Sequence, residues 1–143
     1  NIFLHRGTEG EVVKVLDFGI ANMRDTDDRS MTRLTRSDGA MGTALYMAPE
    51  RLHSDRESGQ SDVYSLAVML YIMLCGRAPF DKTHADPVST MYSHSYESPI
   101  PLQAQNPAIP APLVALVMDS LAKDPKARPT AREFLSRLHG LAS

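Results

Sequence analysis

With 143 residues the chain has room for one domain and a real core, since a chain of this size buries roughly two-thirds of its unfolded surface. An apolar share of 43% and a charged share of 22% match a globular protein and exclude a disordered or fibrous chain. A net charge of −2 gives no electrostatic case for nucleic acid or an anionic membrane surface.

The chain opens Asn1-Ile2-Phe3-Leu4-His5, with neither an initiator Met nor a signal-peptide pattern, and a fragment or trimmed product is expected. Ile2-Phe3-Leu4 and Val12 to Leu16 are short β-like runs joined through Gly7 and Gly10, which predicts a hairpin. A hairpin would bring Asn1, just before the first strand, near Asp17, just after the second. Asp17-Phe18-Gly19 follows, and Gly19 would leave the backbone free to reorient the carboxylate. From Met23 to Met41 there is no apolar periodicity, and the Arg and Asp charges nearly cancel, so a polar loop is expected. Its hydroxyls include Thr35 and Ser37, both beside Arg33 or Arg36. Gly42-Thr43 then leads into Ala48-Pro49-Glu50, with Pro49 suited to the first turn of a short helix over Pro49 to Leu52.

Ser61 to Cys75 is the strongest predicted helix, with Ser61 or Asp62 able to cap it. Its run from Leu66 to Leu74 is apolar all round, which predicts burial on every face. The longest apolar stretch, Leu66 to Cys75, is half of what a membrane span needs, and Gly76 ends the helix. Cys75, the one cysteine, reads as a buried thiol, and a cytosolic setting is the simpler expectation. A further short helix is expected over Asp86 to His94, where Met91 and Tyr92 could pack or form a docking surface. The prolines from Pro99 to Pro112 predict no regular structure over Ser98 to Pro110. Leu113, Leu116, Val117 and Leu121 fit helical spacing, as do Phe134, Leu138 and Leu141. The five histidines show no ligand spacing, so no metal site of their own is expected.

Asp17-Phe18-Gly19 and Ala48-Pro49-Glu50, in this order about thirty residues apart and with Gly42-Thr43 between them, resemble the activation segment of protein kinases. The resemblance is to eukaryotic-type serine/threonine kinases of bacterial kind, and it covers the whole chain. It implies an α+β, mainly α fold: the large, C-terminal lobe of a kinase, with a short β-hairpin at its start and the N-terminal lobe missing. Residues 1–143 would be a partial kinase domain from the end of the catalytic loop to the last helix, with the activation segment at 17–50.

The resemblance also assigns roles. Asn1 and Asp17 would hold Mg²⁺, a hard cation suited to amide and carboxylate oxygens. Phe3 would lie under the adenine of ATP, and Leu16 would line the pocket. For these two residues, ordinary core packing is an equal reading. Thr43 would bond the catalytic Asp and help recognise the acceptor hydroxyl of a protein substrate. Thr35 and Ser37 would be phosphorylation sites, against the plain reading as solvated loop hydroxyls. Glu50 would pair with Arg128, and Asp62 would support the catalytic-loop backbone. Ala67 and Ile72 depart from the usual pattern, where Gly and an acidic residue are common, so a preference for Arg in the substrate is not expected through Ile72.

The catalytic Asp, the glycine-rich loop and the ATP-pairing Lys of the family are not among the 143 residues. The chain alone is therefore expected to be inactive, and its parent to be a serine/threonine kinase partnered by the missing lobe and a protein substrate. The rival reading is a pseudokinase, a scaffold that binds nucleotide or protein without catalysis. Without a small lobe, the region of Phe3 and Phe18 is expected to lie open to water.

Overall fold

The structure is a computed structural model that describes residues 2–8, 10–15, 45–52, 58–80 and 86–141. It divides into two compact units, an N-terminal one that contains the hairpin and a C-terminal one that contains the helices.

The hairpin pairs β1 (Ile2–Gly7) with β2 (Gly10–Val15), antiparallel, in the register Ile2↔Val15 through Gly7↔Gly10. Both strands run further toward the turn than their β-branched residues predict. The extension ends at Gly10, whose φ of 115° is a conformation that glycine takes without strain. Beside it, the opposed pair Arg6 and Glu11 forms an ion pair, with Arg6 Nε donating to Glu11 Oε1 at 2.6 Å. Alternation puts Ile2, Leu4, Val13 and Val15 on one face and Phe3, His5, Val12 and Lys14 on the other. Every strand residue is exposed, Phe3 by 54%. A two-stranded ribbon is at best marginally stable by itself.

The helical unit is built around α1 (Gly59–Cys75). After it come α2 (Pro87–Tyr96), the single turn α3 (Leu102–Gln105), α4 (Ala111–Ser120) and α5 (Ala131–His139). Two 3-10 turns, Pro49–Leu52 and Pro125–Ala127, complete it. The core gathers Tyr64, Ala67, Val68 and Tyr71 of α1 with Ala48, Leu102, Ile109, Val117 and Leu121. Val63, Leu116 and Phe134 form a second cluster where α1, α4 and α5 meet.

Local chemistry explains the ends of the helices. Gly76 closes α1 in the left-handed conformation, φ 72°, and its N–H reaches the Ile72 carbonyl. Asp86 caps α2 by accepting from the Ser89 N–H at 3.0 Å. Thr130 and Glu133 form a reciprocal capping box at the start of α5.

Four expectations are corrected. The helix α1 begins at Gly59 with Ser58 at its cap position, because the Ser61 hydroxyl is turned toward Glu50 instead. It is not buried on every face. Met73 is 72% exposed, since α4, α5 and α3 pack against the side that carries Val63, Tyr64, Ala67 and Tyr71. Cys75 is only half-buried, and its thiol donates to the carbonyls of Tyr71 and Arg77. The proline-rich stretch does hold regular structure, the turn α3. Pro101 stands at its cap, where no helical N–H is lost, and the fully buried Leu102 anchors it. The Asn106 amide ties that turn to α1 by donating to the Leu74 carbonyl at 3.3 Å.

Candidate functional site

Glu50 stands in the 3-10 turn Pro49–Leu52, and Arg128 follows the turn Pro125–Ala127. The structure brings them together across 78 positions of sequence as a two-pronged ion pair. Arg128 Nη1 donates to Glu50 Oε1 at 2.7 Å, and Nη2 donates to Oε2 at 2.8 Å. This fork-to-fork geometry is the strong form of an Arg–carboxylate contact. The Arg128 side chain is fully buried, and it also donates to the carbonyls of Gln60, Ala122 and Lys123. Ser61 Oγ adds a third bond to Glu50, at 2.6 Å. Burial pushes the Glu50 carboxyl up, but the hydrogen bonds from Arg128 and Ser61 outweigh it and hold the group below its ordinary value.

The Arg128 guanidinium lies 4.7 Å from the centre of the Tyr64 ring. Tyr64 Oη in turn meets His94 Nδ1 of α2 at 2.9 Å, with both side chains fully enclosed. Phe80 packs edge-on to the His94 ring, the two centroids 4.7 Å apart. Lys123 lies over the other side of this cluster, 4.3 Å from the centre of the Phe80 ring, and donates to the carbonyls of His94 and Ser93. Desolvation, then the nearby Lys123 charge, pushes His94 down to about 4, against a hydrogen bond to the Leu45 backbone that raises it. At neutral pH the ring is uncharged. Desolvation and Arg128 lower Lys123 to about 8.

Asp62 lies in the first turn of α1, exposed. In the hairpin unit Phe3 faces out from β1 with Lys14 opposite it. The remaining expected site residues, Asn1, Leu16, Asp17, Gly19, Thr35, Ser37 and Thr43, lie outside the described residues. Among the described residues no three His, Cys, Asp or Glu side chains gather as a metal site, and no helix is long and apolar enough to cross a membrane. An open cleft of about 420 Å³ lies beside Asp119, Arg128, Glu133 and Arg137. Its charged side chains are already engaged, Arg137 with Asp119 at 2.9 Å and Glu133 in the capping box.

Comparison with known proteins decides the family. The family model described as the protein kinase domain matches residues 1–138. The chain belongs to the protein kinase family. Similar proteins include the serine/threonine-protein kinase PknB of Mycobacterium tuberculosis, 42% identical over 131 residues that make up 89% of this chain and 20% of that protein. Serine/threonine-protein kinase A of Synechocystis is 39% identical over 90% of this chain and 23% of its own length. A probable serine/threonine-protein kinase PknB of Bifidobacterium longum is 41% identical over 89% and 18%. The chain thus spans about a fifth of the length of these bacterial serine/threonine kinases. The order of elements, a two-stranded hairpin followed by a mainly helical remainder, is that of a kinase large-lobe fragment.

In this kinase chain the polar cluster of Tyr64, His94 and Lys123 went unnoticed in the sequence. His94 is 30 positions from Tyr64 and 29 from Lys123, and no local pattern marks such a set.

Proposed function

We propose that residues 1–143 are the later part of a serine/threonine protein kinase domain, with the activation segment at 17–50, whose parent transfers the γ-phosphate of ATP to Ser or Thr of proteins. The observation that carries this reading is the paired motif set, Asp17-Phe18-Gly19 with Ala48-Pro49-Glu50, inside a chain that matches the kinase family over residues 1–138. The hairpin register supports a shared cation. Ile2 lies opposite Val15, Asn1 precedes that pair by one residue, and Asp17 follows it by two. An amide oxygen and a carboxylate suit Mg²⁺, and the exposed Phe3 offers an apolar surface to the adenine, with Leu16 beyond the other strand's end. ATP with Mg²⁺ supplies the phosphoryl group and the charge neutralisation. Thr43 orients the acceptor hydroxyl, Asp62 and the Glu50–Arg128 pair support the site, and Gly19 lets the Asp17 carboxylate swing into place.

The 143 residues alone are inactive, because positioning by the catalytic Asp and by the small lobe's Lys is needed as well. Incubated with Mg-ATP and a Ser/Thr peptide, the isolated chain should show no transfer above background, while the full-length protein should transfer phosphate. Activity in the isolated chain would contradict the first statement, and an inactive full-length protein the second. That last result would favour the pseudokinase reading, which intact Asn1, Asp17 and Gly19 argue against. A cytoplasmic setting for this segment agrees with its free thiol.

Thr35 and Ser37 are the proposed regulatory phosphosites, since a phosphate there can pair with the neighbouring Arg33 and Arg36. Mass spectrometry of active full-length protein should find phosphate at one or both. Its absence from the whole of 30–43 would remove this form of control.

A further inference from the structure

We propose that Lys123 is a positioning residue for the Glu50–Arg128 pair, its ammonium fastening the end of α2 to the stretch of backbone that holds Arg128. The inference rests on the reading that the segment ending at Ala48-Pro49-Glu50 presents the acceptor side chain.

Lys123 works from both of its ends. Its Nζ donates to the His94 carbonyl at 2.6 Å and to the Ser93 carbonyl at 3.2 Å, both in the last turn of α2. Its own main-chain carbonyl accepts from Arg128 Nη2 at 3.0 Å, and the preceding carbonyl, that of Ala122, accepts from Arg128 Nε at 2.7 Å. One residue therefore joins α2 to the guanidinium that grips Glu50. The seat suits a cation. The Phe80 ring lies under the ammonium, 4.3 Å from Nζ to its centre, and the same ring packs against His94. The C-terminal end of a helix also favours positive charge, and the one basic residue in the last turn of α2 is His94, uncharged at neutral pH. Lys123 supplies that charge from another part of the chain. A second tie runs beside the first, because Tyr64 Oη meets His94 Nδ1 at 2.9 Å while the Tyr64 ring lies under Arg128. The helix α2 itself packs against the turn Pro49–Leu52 that carries Glu50. Glu50, Arg128, Lys123 and α2 form a closed ring of contacts, so releasing the Lys123 link loosens the turn at Glu50.

Two substitutions in the full-length protein separate this role from a local helix cap. Lys123→Met keeps an apolar stem over Phe80 and removes the donors, and Lys123→Arg returns a cation with donors of its own. Amide hydrogen exchange, followed residue by residue, has a reporter at each end of the tie. The Glu97 N–H donates to the Ser93 carbonyl at 3.0 Å, and the Arg51 N–H donates to the Ala48 carbonyl at 3.1 Å within the turn that carries Glu50. Both amides should exchange about tenfold faster in Lys123→Met, the equivalent of one hydrogen bond, and near the wild-type rate in Lys123→Arg. The KM for an acceptor peptide should rise by a similar factor in Lys123→Met while the KM for ATP stays unchanged. Faster exchange at Glu97 with wild-type exchange at Arg51 would reduce Lys123 to a cap of α2 and overturn the proposal. So would a Lys123→Arg variant as fast as Lys123→Met, or equal changes in both KM values. Should Lys123→Met fail to fold, Lys123→Gln, which keeps a neutral donor, is expected to fold and to quicken exchange at both amides. Wild-type exchange at Arg51 in that variant would overturn the tie. A full-length protein that transfers no phosphate even as wild type would sink the kinase reading, and exchange at Arg51 would still decide whether Lys123 holds the Glu50 turn.

Discussion

Replacing Arg128 by Ala in the full-length protein is expected to destabilise the helical unit by about 3–5 kcal/mol, the cost of leaving one member of a buried ion pair without the other. The guanidinium is fully enclosed, while the Glu50 carboxylate retains 14% exposure. Removing the cation takes both prongs of the ion pair from that carboxylate, which keeps its bond from Ser61, and takes donors from three carbonyls, those of Gln60, Ala122 and Lys123. It also empties the space over the Tyr64 ring. Glu50→Gln should be milder, because an amide oxygen still accepts from Arg128 and the three carbonyls keep their donor. The order matters more than the absolute values. Denaturant unfolding followed in the kinase domain should rank wild type above Glu50→Gln and Glu50→Gln above Arg128→Ala. Equal stability of Arg128→Ala and wild type would mean that the pair is solvated in the working protein.

Acid should weaken the helical unit in two stages, and His94 governs the first. Its folded value of about 4 lies below the 6.5 of an unhindered imidazole. Between these two pH values the unfolded chain binds a proton that the folded chain refuses, so stability falls as pH drops from 6.5 toward 4. At roughly 1.4 kcal/mol per unit of pKa difference, the loss approaches about 3 kcal/mol across that window. Lys123, cationic in the same cluster, opposes protonation of the ring, while Arg128 and Glu50 are paired with each other. The second stage belongs to Glu50, whose folded pKa is lowered. Its contribution is complete above the unfolded carboxyl value of 4.5 and is lost as pH falls through the folded value. Thermal unfolding followed from pH 7 to pH 4 should show the first slope in wild type. The slope should be absent in His94→Gln, which has nothing to titrate there. An unchanged slope in that variant would assign the acid sensitivity to another group.

What the sequence revealed, and what it hid, divides along the range of the interactions. Caps, stops and apolar stripes are local, so α2, α4 and α5 were legible from Asp86, from Leu113-Leu116-Val117 and from Phe134-Leu138. The hairpin was legible for the same reason, although its strands run further toward Gly7 and Gly10 because the opposed Arg6–Glu11 pair prolongs the ladder. The turn α3 was hidden because its prolines hide its anchor. Pro101 can start a helical turn as readily as break one, and the decision lies with Leu102 burying itself against α1 and α4. Met73 misled for the opposite reason. An apolar residue in an apolar run reads as buried, yet the run is wider than the face the other helices cover.

The site divides in the same way. Glu50 and Arg128 were paired from their motifs, and the structure places them within 2.7 Å. The Tyr64–His94 bond joins α1 to α2 across 30 positions of sequence, a range over which no local pattern can announce a contact.

The most direct test of the account compares the full-length protein with its Asp17→Asn variant in transfer of phosphate from Mg-ATP to a Ser/Thr peptide. If Asp17 holds the cation with Asn1, transfer should fall by more than roughly a hundredfold, the upper range for residues that only support a metal ligand. The variant should unfold at the wild-type temperature. Equal transfer by the two proteins would contradict the assignment of Asp17 and, with it, the kinase mechanism proposed for this chain.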